Sequence, residues 1–394
     1  MTGKPSMERE QTDLKPDIDT LMDMIWLIRC VLSGTKPDTI HVAGMNQKKL
    51  FELASRHSLT ALVGTALHGV DTGEMEKRWQ NAVDKAVRRT VLFDAERREL
   101  LSFMEENGIW YMALKGVVLK DFYPVYGVRQ FADNDILFDV RYAEEIRDWF
   151  KGRGYKVKKF ACGVHDTYLK NPIYNFEMHR MLFSPSIKRW YPYYEHVKDR
   201  LIKDEGNDYG FHFKDEDFYI YFYTHAAKHY SGGGTGLRTL VDLYLYISKK
   251  SAMDWSYIEK ELKKLGLKED ERSMRKLANT LFAHGASDPM QKLSPQQQEL
   301  FSTIASAGTY GTIENKVSNR LECYAKDNKI MDKNRLKLHY LRERFFPTTQ
   351  GHKEYYAFYY QHWWARPLLF FVRFGKMLIN HRRVRKEFEA LHKF

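Results

Sequence analysis

The sequence predicts an α+β protein in which a small α/β domain with a mixed sheet lies between two helical regions. Before residue 107 apolar residues recur at helical spacing, and the same spacing returns from residue 194 onward. Between them, short apolar runs are bounded by glycine and proline, as is typical of strands and tight turns. The predicted regions are a disordered lead at 1–17, an N-terminal helical region at 18–107, the α/β domain at 108–183 and a C-terminal helical region at 194–394.

The N-terminal region is predicted to be a set of helices. Within 18–32 the apolar residues fall every three or four positions, which places them on one face of a helix. Two further helices are expected at 47–57 and 59–68, followed by a long charged helix at 76–106. Gly108 is expected to end the long helix, because glycine readily takes the left-handed conformation that closes a helix.

The middle region has the pattern of short strands. The apolar run at 109–114 predicts a first strand that enters a tight turn at Lys115 and Gly116. A second strand is expected at 134–140, with acidic residues at its start. The other predicted elements are helices at 117–123 and 142–151, and strands at 155–160, 164–169 and 173–181.

From residue 194 onward the pattern is again helical. The predicted helices are at 218–229, 237–249, 254–265, 273–284 and 294–305, followed by a polar, bent stretch at 321–346 and an aromatic-rich segment at 355–381.

Composition limits the class of protein. The 394 residues include 43% hydrophobic residues, enough for packed cores, and the net charge of +12 favours polyanionic partners such as nucleotides, nucleic acid or anionic membranes. The first 20 residues lack the apolar stretch of a secretory signal, and the apolar run at 367–372 is far too short to span a bilayer. We therefore expect a cytoplasmic protein.

Three carboxylates form the candidate site. Asp133 and Asp135 are two positions apart on a predicted strand, so their side chains point to the same face. Adjacent carboxylates repel each other, and a hard divalent cation, Mg²⁺ or Mn²⁺, relieves that repulsion. Glu177, on another predicted strand, would complete a three-carboxylate site of the two-metal, phosphoryl-transfer kind.

These residues belong to a longer pattern that resembles a known family. The pattern consists of Leu114-Lys115-Gly116, Arg129, the Asp133-to-Leu137 run and Glu177 followed by His179. It resembles the uncharacterised nucleotidyltransferases of the polymerase-β-like superfamily, and the similarity extends from about residue 20 to 375. Asn134, between the two acids, stands where that family usually has an apolar residue.

The resemblance implies both a fold and a reaction. The fold is a small polymerase-β-like domain, and the reaction is transfer of a nucleoside monophosphate, expected to be AMP from ATP, to a hydroxyl acceptor with release of pyrophosphate. It implies catalytic and metal-binding roles for Asp133, Asp135 and Glu177. Nucleotide-binding roles are implied for Lys115, Gly116, Arg129, Lys228 and His229. The acceptor stays open among a small molecule, RNA and a protein side chain.

Two alternatives to an enzyme remain open at this stage: a non-catalytic nucleotide-binding or interaction protein that keeps the fold, and a nucleic-acid-binding protein. The C-terminal tail bears on the second, because Trp363, Trp364, Phe370 and Phe371 are interleaved with arginine and lysine. Such a tail stacks on single-stranded bases, lies on a membrane interface or packs as a pair of helices.

Overall fold

The computed structural model describes residues 17–283, 289–309, 311–328, 332–345 and 356–394. Helices surround one seven-stranded mixed sheet, which confirms the predicted α+β class. The predicted disordered lead lies outside the described residues except for Asp17, as does the end of the predicted stretch at 321–346.

Four of the five N-terminal helices within the described residues form where the sequence predicts them, and the short helix at Thr39–Gly44 was not predicted. Asp17, Asp38 and Asn46 each accept a hydrogen bond from a backbone N–H group in the first turn of the helix that follows, which stabilises the start of that helix. The helices are α1 (Ile18–Ser33), α2 (Thr39–Gly44), α3 (Gln47–Arg56), α4 (Thr60–Ala66) and the long α5 (Glu76–Glu106).

The sheet has its central strand at the candidate site. Its strands are β1 (Tyr111–Ala113), β2 (Asn134–Phe138), β3 (Lys156–Lys159), β4 (His165–Lys170), β5 (Tyr174–His179), β6 (Leu201–Lys203) and β7 (Gly210–Phe213), in the order β3-β4-β5-β2-β1-β7-β6. The pairs β2–β5 and β1–β7 are parallel, and the other neighbours are antiparallel. The central strand β2 therefore pairs with β5 on one side and β1 on the other.

Strands β6 and β7 correct the prediction of a helical chain from residue 194 onward. Each has only three or four residues, too few to produce a recognisable alternation of polar and apolar positions. Their place depends on distant partners. The Tyr111 N–H group donates to the Tyr209 carbonyl at 3.0 Å, and the carboxylate of Glu105 accepts from the Tyr209 N–H group at 3.1 Å.

The two faces of the sheet have different neighbours. On one face Ile136 and Phe138 of β2 pack with the end of α5 and with the helix α7 (Ala143–Gly152). Between β1 and β2 lies the short helix α6 (Gly116–Leu119). On the opposite face Leu137 joins the main core, which combines side chains of the N-terminal helices with those of the C-terminal helices. Residues of β2 with odd numbers, including Asp135, therefore face the C-terminal helices.

The remaining helices occupy most of the region in which they are predicted. They are α8 (Tyr191–Tyr194), α9 (Asp215–Ser231), α10 (Leu237–Lys249), α11 (Trp255–Lys264), α12 (Lys268–Phe282), α13 (Pro295–Ala307), α14 (Ile313–Asn328), α15 (Lys333–Phe345), α16 (Ala357–Gln361), α17 (Arg366–Ile379) and α18 (His381–Lys393). The stretch predicted at 321–346 falls on two helices, α14 and α15. How the chain divides into domains at residues 107, 183 and 194 stays a prediction.

Within the described part of the chain, no helix combines the length and the apolar character that crossing a bilayer requires.

Candidate metal and nucleotide site

The three predicted carboxylates lie together on one face of the sheet. Asp135 of β2 is directly opposite Glu177 of β5 in the parallel register, and Asp133 precedes Asp135 by two positions. One carboxylate oxygen from each of the three residues lies within 4.8 Å of the other two. The strand register therefore produces the group that the sequence pattern predicts.

Asn134 points to the opposite face of the sheet from the two acids. It is fully buried, and its side-chain oxygen accepts a hydrogen bond from Arg97 Nη1 at 2.9 Å. Arg97 also donates to Asp94 at 2.6 Å. The polar residue between the two acids therefore has a buried polar partner on α5, and it leaves the acidic face unchanged.

Lys115 directs its ammonium group into the acidic cluster. Its Nζ atom lies 2.9 Å from Asp135 Oδ1 and 3.4 Å from His179 Nε2. The backbone of Lys115 has a φ of +47°, a region that residues with a side chain rarely adopt. Such strain persists only where the surrounding structure holds it, and it is concentrated at functional sites. The turn after β1 thus places a cation among the predicted metal ligands.

Two histidines that the sequence reasoning did not assign to the site lie beside the carboxylates. His179 Nε2 is 2.9 Å from Asp135 Oδ1, and His165 is paired with His179 across β4 and β5. His165, Glu177 and His179 form a second group whose candidate ligand atoms lie within 4.8 Å of one another. The spacing of Glu177 and His179, two positions apart on a strand, is the signal that identifies His179. His165 is recognisable only from the pairing of the strands.

The charges of the three carboxylates differ. Burial and the neighbouring Asp135 raise the pKa of Asp133 to about 6. Burial and the other two acids raise the pKa of Glu177 to about 7. Burial alone would raise the pKa of Asp135, but the Lys115 ammonium and the His179 imidazole lower it below its usual range. Near neutral pH Asp135 is therefore ionised, whereas Asp133 and Glu177 keep their protons to a higher pH than ordinary carboxylic acids do.

Helix α9 brings further nitrogen groups to this face. Burial and the charge of Lys115 lower the pKa of Lys228, which in turn interacts electrostatically with Asp135 and Glu177. Burial and Lys228 lower the pKa of His229 to about 4. The two predicted nucleotide-binding residues of α9 therefore lie within electrostatic range of the carboxylates.

Arg129 lies next to Gly116 but is engaged in a buried ion pair. Its Nε and Nη2 atoms donate to the two carboxylate oxygens of Asp242 at 2.7 and 2.8 Å, and Tyr123 donates to the same carboxylate at 2.8 Å. A Cβ atom on Gly116 would meet Arg129 Nη1 at 2.7 Å and Phe131 Cβ at 3.4 Å. Glycine is thus required at position 116 because Arg129 approaches the backbone closely. A direct contact of Arg129 with a nucleotide stays a prediction.

The chemistry of the donor atoms fits a divalent cation. The three carboxylates supply the hard oxygen ligands that Mg²⁺ and Mn²⁺ prefer, and two oxygen ligands of one Mg²⁺ are at most about 4.2 Å apart. One oxygen from each of the three carboxylates lies within 4.8 Å of the other two, so the three are near enough for small side-chain movements to reach that spacing. Asp133, Asp135 and Glu177 are therefore the residues that could hold such an ion, and the imidazoles of His165 and His179 are further ligands within reach.

Three acids on adjacent strands, beside a lysine in a strained turn, are the arrangement expected of a phosphoryl-transfer site. Residues 43–283 match the model of a family described as uncharacterised nucleotidyltransferase, and this match covers more than half of the chain. The chain therefore belongs to that family, and its class is that of the nucleotidyltransferases. No curated protein and no solved structure matches the chain.

Proposed function

We propose that this protein transfers a nucleoside monophosphate, AMP from ATP, to a hydroxyl group of an acceptor. In this reaction the acceptor oxygen forms a bond to the α-phosphorus, the bond between the α-phosphorus and the bridging oxygen breaks, and pyrophosphate leaves. The acceptor is a small molecule, an RNA or a protein side chain. The proposal retains the cytoplasmic location expected from the sequence.

One observation carries the proposal: the carboxylates of Asp133, Asp135 and Glu177 converge on one face of β2 and β5. Burial and repulsion among the acids raise the pKa of Asp133 to about 6 and that of Glu177 to about 7, which supports a group that needs further positive charge. A divalent cation supplies that positive charge and, when bound, also stabilises the charge that develops on the phosphates.

The other groups of the site have roles that follow from their charge. Asp133 and Asp135 would hold both cations, and Glu177 would hold the one nearest the acceptor hydroxyl and accept the proton of that hydroxyl. Lys115 and Lys228 place positive charge beside the same face and would bind the phosphate oxygens. His179 holds the Asp135 carboxylate in position through its 2.9 Å contact.

Labelled ATP tests the proposal directly. The purified chain is incubated with Mg²⁺ or Mn²⁺, a cell extract and ATP labelled on either the α- or the γ-phosphate. We expect an acceptor to gain label from the α-labelled ATP alone, together with release of pyrophosphate. Label that arrives only from the γ-phosphate would instead show phosphate transfer and would contradict the proposal.

A second candidate function, nucleotide binding without catalysis, is favoured by the position of Lys115. Its ammonium already neutralises Asp135 at 2.9 Å and interacts with Asp133 and Glu177. A protein of this kind would bind ATP equally well with and without Mg²⁺ and would release no pyrophosphate. Thermal shift measurements with ATP in EDTA and in Mg²⁺, run beside the pyrophosphate assay, separate the two functions.

The affinity for Mg²⁺ is expected to fall as the pH drops from about 8 to about 6. Glu177 has a pKa raised to about 7, so below that pH a proton occupies the carboxylate that the ion requires. One competing proton with this pKa lowers the affinity about tenfold in total between pH 8 and pH 6, most of it below pH 7. Calorimetric titration at several pH values, in buffers of different ionisation enthalpy, measures both the affinity and the protons released.

Glu177→Gln is the matched variant for this measurement. It should bind Mg²⁺ more weakly than the wild type at pH 8, and its affinity should change little between about pH 8 and pH 7, because the remaining raised acid, Asp133, has a pKa of about 6. If the affinity of the wild type for Mg²⁺ is the same at pH 8 and pH 6, Glu177 is not a ligand of the metal.

Gly116→Val is expected to abolish the thermal stabilisation that ATP with Mg²⁺ produces. A ligand that binds only the folded protein raises the unfolding temperature, so the shift reports binding. The added side chain would meet Arg129 Nη1, which Asp242 holds in place, and would close the approach to the turn. Overpacking of this kind also costs about 1–3 kcal/mol of folding free energy.

Gly152→Val is the control, because no atom lies within 4 Å of a Cβ at that position. It should keep the full ATP-induced shift and change the free energy of unfolding by no more than about 1 kcal/mol. If Gly116→Val is folded and binds ATP normally, the glycine serves the packing of Arg129 alone and the phosphates bind elsewhere.

A further inference from the structure

The tail of the chain carries a large apolar surface that stays exposed among the residues that the structure describes. We call this surface the tail face; it consists of Trp363, Trp364, Leu368, Phe370, Phe371, Phe374, Leu378 and Ile379. Trp363 is 80% exposed, Ile379 79%, Phe371 67% and Leu378 61%. Contiguous apolar surface of this kind marks a site of interaction.

The tail face is one side of helix α17 and of the turn before it. Trp364, Leu368, Phe371 and Leu378 are separated by four, three and seven positions, which places them on a single stripe of the helix. On the opposite side Leu369 is buried. Helix α17 is thus held to the protein by one side and presents the other to its surroundings.

Neighbouring helices hold this arrangement in place. Arg373 of α17 donates a hydrogen bond to the Arg344 carbonyl at the end of α15. Helix α18 packs against α14, and Ala390 and Leu391 join a small core with Val317, Leu321 and Leu336. The tail thus has a small core of its own, and the side chains of the tail face lie outside it, which favours an interaction surface over the alternative of packing as a helix pair.

The segment that carries the tail face is rich in positive charge. From residue 355 to residue 386 the sequence contains no Asp or Glu, and its cationic residues are Arg366, Arg373, Lys376, Arg382, Arg383, Arg385 and Lys386. Arg366 and Lys376 lie on α17 itself, and Arg383, Arg385 and Lys386 are exposed at the start of α18. An apolar surface bordered by cations is complementary to a surface with an apolar interior and anionic groups at its edge.

We propose that the tail face docks on the surface of an anionic phospholipid bilayer. In this arrangement α17 lies in the plane of the interface. Its Phe and Leu side chains, and the two tryptophans of the turn before it, lie among the lipid headgroups and upper acyl chains. The basic residues of α17 and α18 contact the lipid phosphates. Helix α17 has 14 residues and is about 21 Å long, which suits a helix that lies on a bilayer. This inference does not depend on the proposed transferase activity.

Vesicle flotation of the full-length chain tests the inference. One set of vesicles is pure phosphatidylcholine, and a second contains about one third phosphatidylglycerol. We expect the chain to float with the anionic vesicles and to bind the neutral vesicles much more weakly. Because the attraction is partly electrostatic, binding should also weaken as the salt concentration rises.

Two variants separate the apolar and the cationic contributions. Phe371→Ser with Leu378→Ser removes exposed apolar side chains and should lower the affinity for anionic vesicles at least about 30-fold. Replacing Arg382, Arg383 and Arg385 by Gln should lower it about 100-fold, at about fivefold per charge. Phe371, Leu378, Arg383 and Arg385 are exposed, so we expect both variants to stay folded.

Matched controls lie on distant helices. Ile40 is 83% exposed on α2, and Ile40→Ser should leave vesicle binding unchanged. Lys77, Lys85 and Arg88 are exposed on α5, and their replacement by Gln removes the same charge as the tail triple variant. We expect the α5 triple variant to retain most of the affinity for anionic vesicles. A loss equal to that of the tail triple variant would show that net charge alone, and not the tail face, determines binding.

Three results would overturn the proposal. The first is a lack of binding to anionic vesicles at low salt. The second is tight binding of single-stranded RNA, without binding to vesicles, that the tail triple variant weakens. The third is a dimer in sedimentation measurements that Phe371→Ser with Leu378→Ser converts to a monomer, which would assign the tail face to a second copy of the chain.

Discussion

Asp133→Asn and Asp135→Asn are both expected to abolish nucleotidyl transfer, yet they should change the stability of the protein in opposite directions. Each substitution removes a carboxylate from the group that converges on β2 and β5, and with it a ligand of the cation. Loss of one such electrostatic contact lowers catalysis by about 10²–10³-fold or more. The effect on stability depends on what each acid contacts in the folded protein.

Asp135→Asn should destabilise the protein. It leaves the buried ammonium of Lys115, now 2.9 Å from Asp135 Oδ1, without its counter-charge. Removing one partner of a buried ion pair costs about 3–5 kcal/mol. Because the folded-state pKa of Asp135 is lowered, this contribution is present above the ordinary Asp pKa and is lost as the pH falls through the folded-state value.

Asp133→Asn should leave the free energy of unfolding unchanged or increase it. Burial and the charge of Asp135 raise the pKa of Asp133 to about 6, which means that ionised Asp133 destabilises the folded state. Removing that charge should stabilise the protein by about 1–3 kcal/mol above pH 6; the gain should shrink below pH 6 and vanish only below the ordinary Asp pKa of about 3.9, where both folded and unfolded states are protonated.

Urea unfolding in EDTA, followed between about pH 4 and pH 8, measures both effects without bound metal. Asp148→Asn is the control: it removes an exposed acid of α7 and should preserve both activity and stability. If the Asp135→Asn protein keeps its transferase activity, the carboxylates have no essential role in catalysis. Equal changes in stability for the two site variants would contradict the charge distribution described for the site.

Asp242→Ala is expected to lower the free energy of unfolding by about 3–5 kcal/mol, the largest loss among the variants outside the carboxylate group. It leaves the Arg129 guanidinium, which is 6% exposed, with no carboxylate to pair with, and it removes the acceptor for the Tyr123 hydroxyl. Chemical denaturation at pH 7 measures the loss.

The double variant Arg129→Met with Asp242→Leu separates the ion pair from the role of Arg129 in nucleotide binding. Replacing both charges with apolar groups of similar size should recover most of the stability lost in Asp242→Ala. If the double variant still shows the full thermal shift with ATP and Mg²⁺, Arg129 supports the turn at Gly116 and does not contact the nucleotide. A double variant as unstable as Asp242→Ala would show that the site requires the charges.

Much of the candidate site follows from local spacing. Asp133 and Asp135 share a face because side chains two apart on a strand point the same way, and that rule needs no knowledge of the fold. Glu177 followed by His179 obeys the same rule on β5. Helix boundaries were also readable from the spacing of apolar residues, as for α1 and α5, whereas the short helix α2 was missed.

The sequence by itself thus determined the class of fold, the acidic residues and the helical regions, because periodicity and capping are local properties of the chain. Only the tertiary structure decided that β2 pairs with β5 and brings Glu177 opposite Asp135. It also decided that Lys115 neutralises Asp135, and that the tail aromatics face outward. These features depend on strand register, burial and the competition among distant charges, and those are set by contacts between residues far apart in the chain.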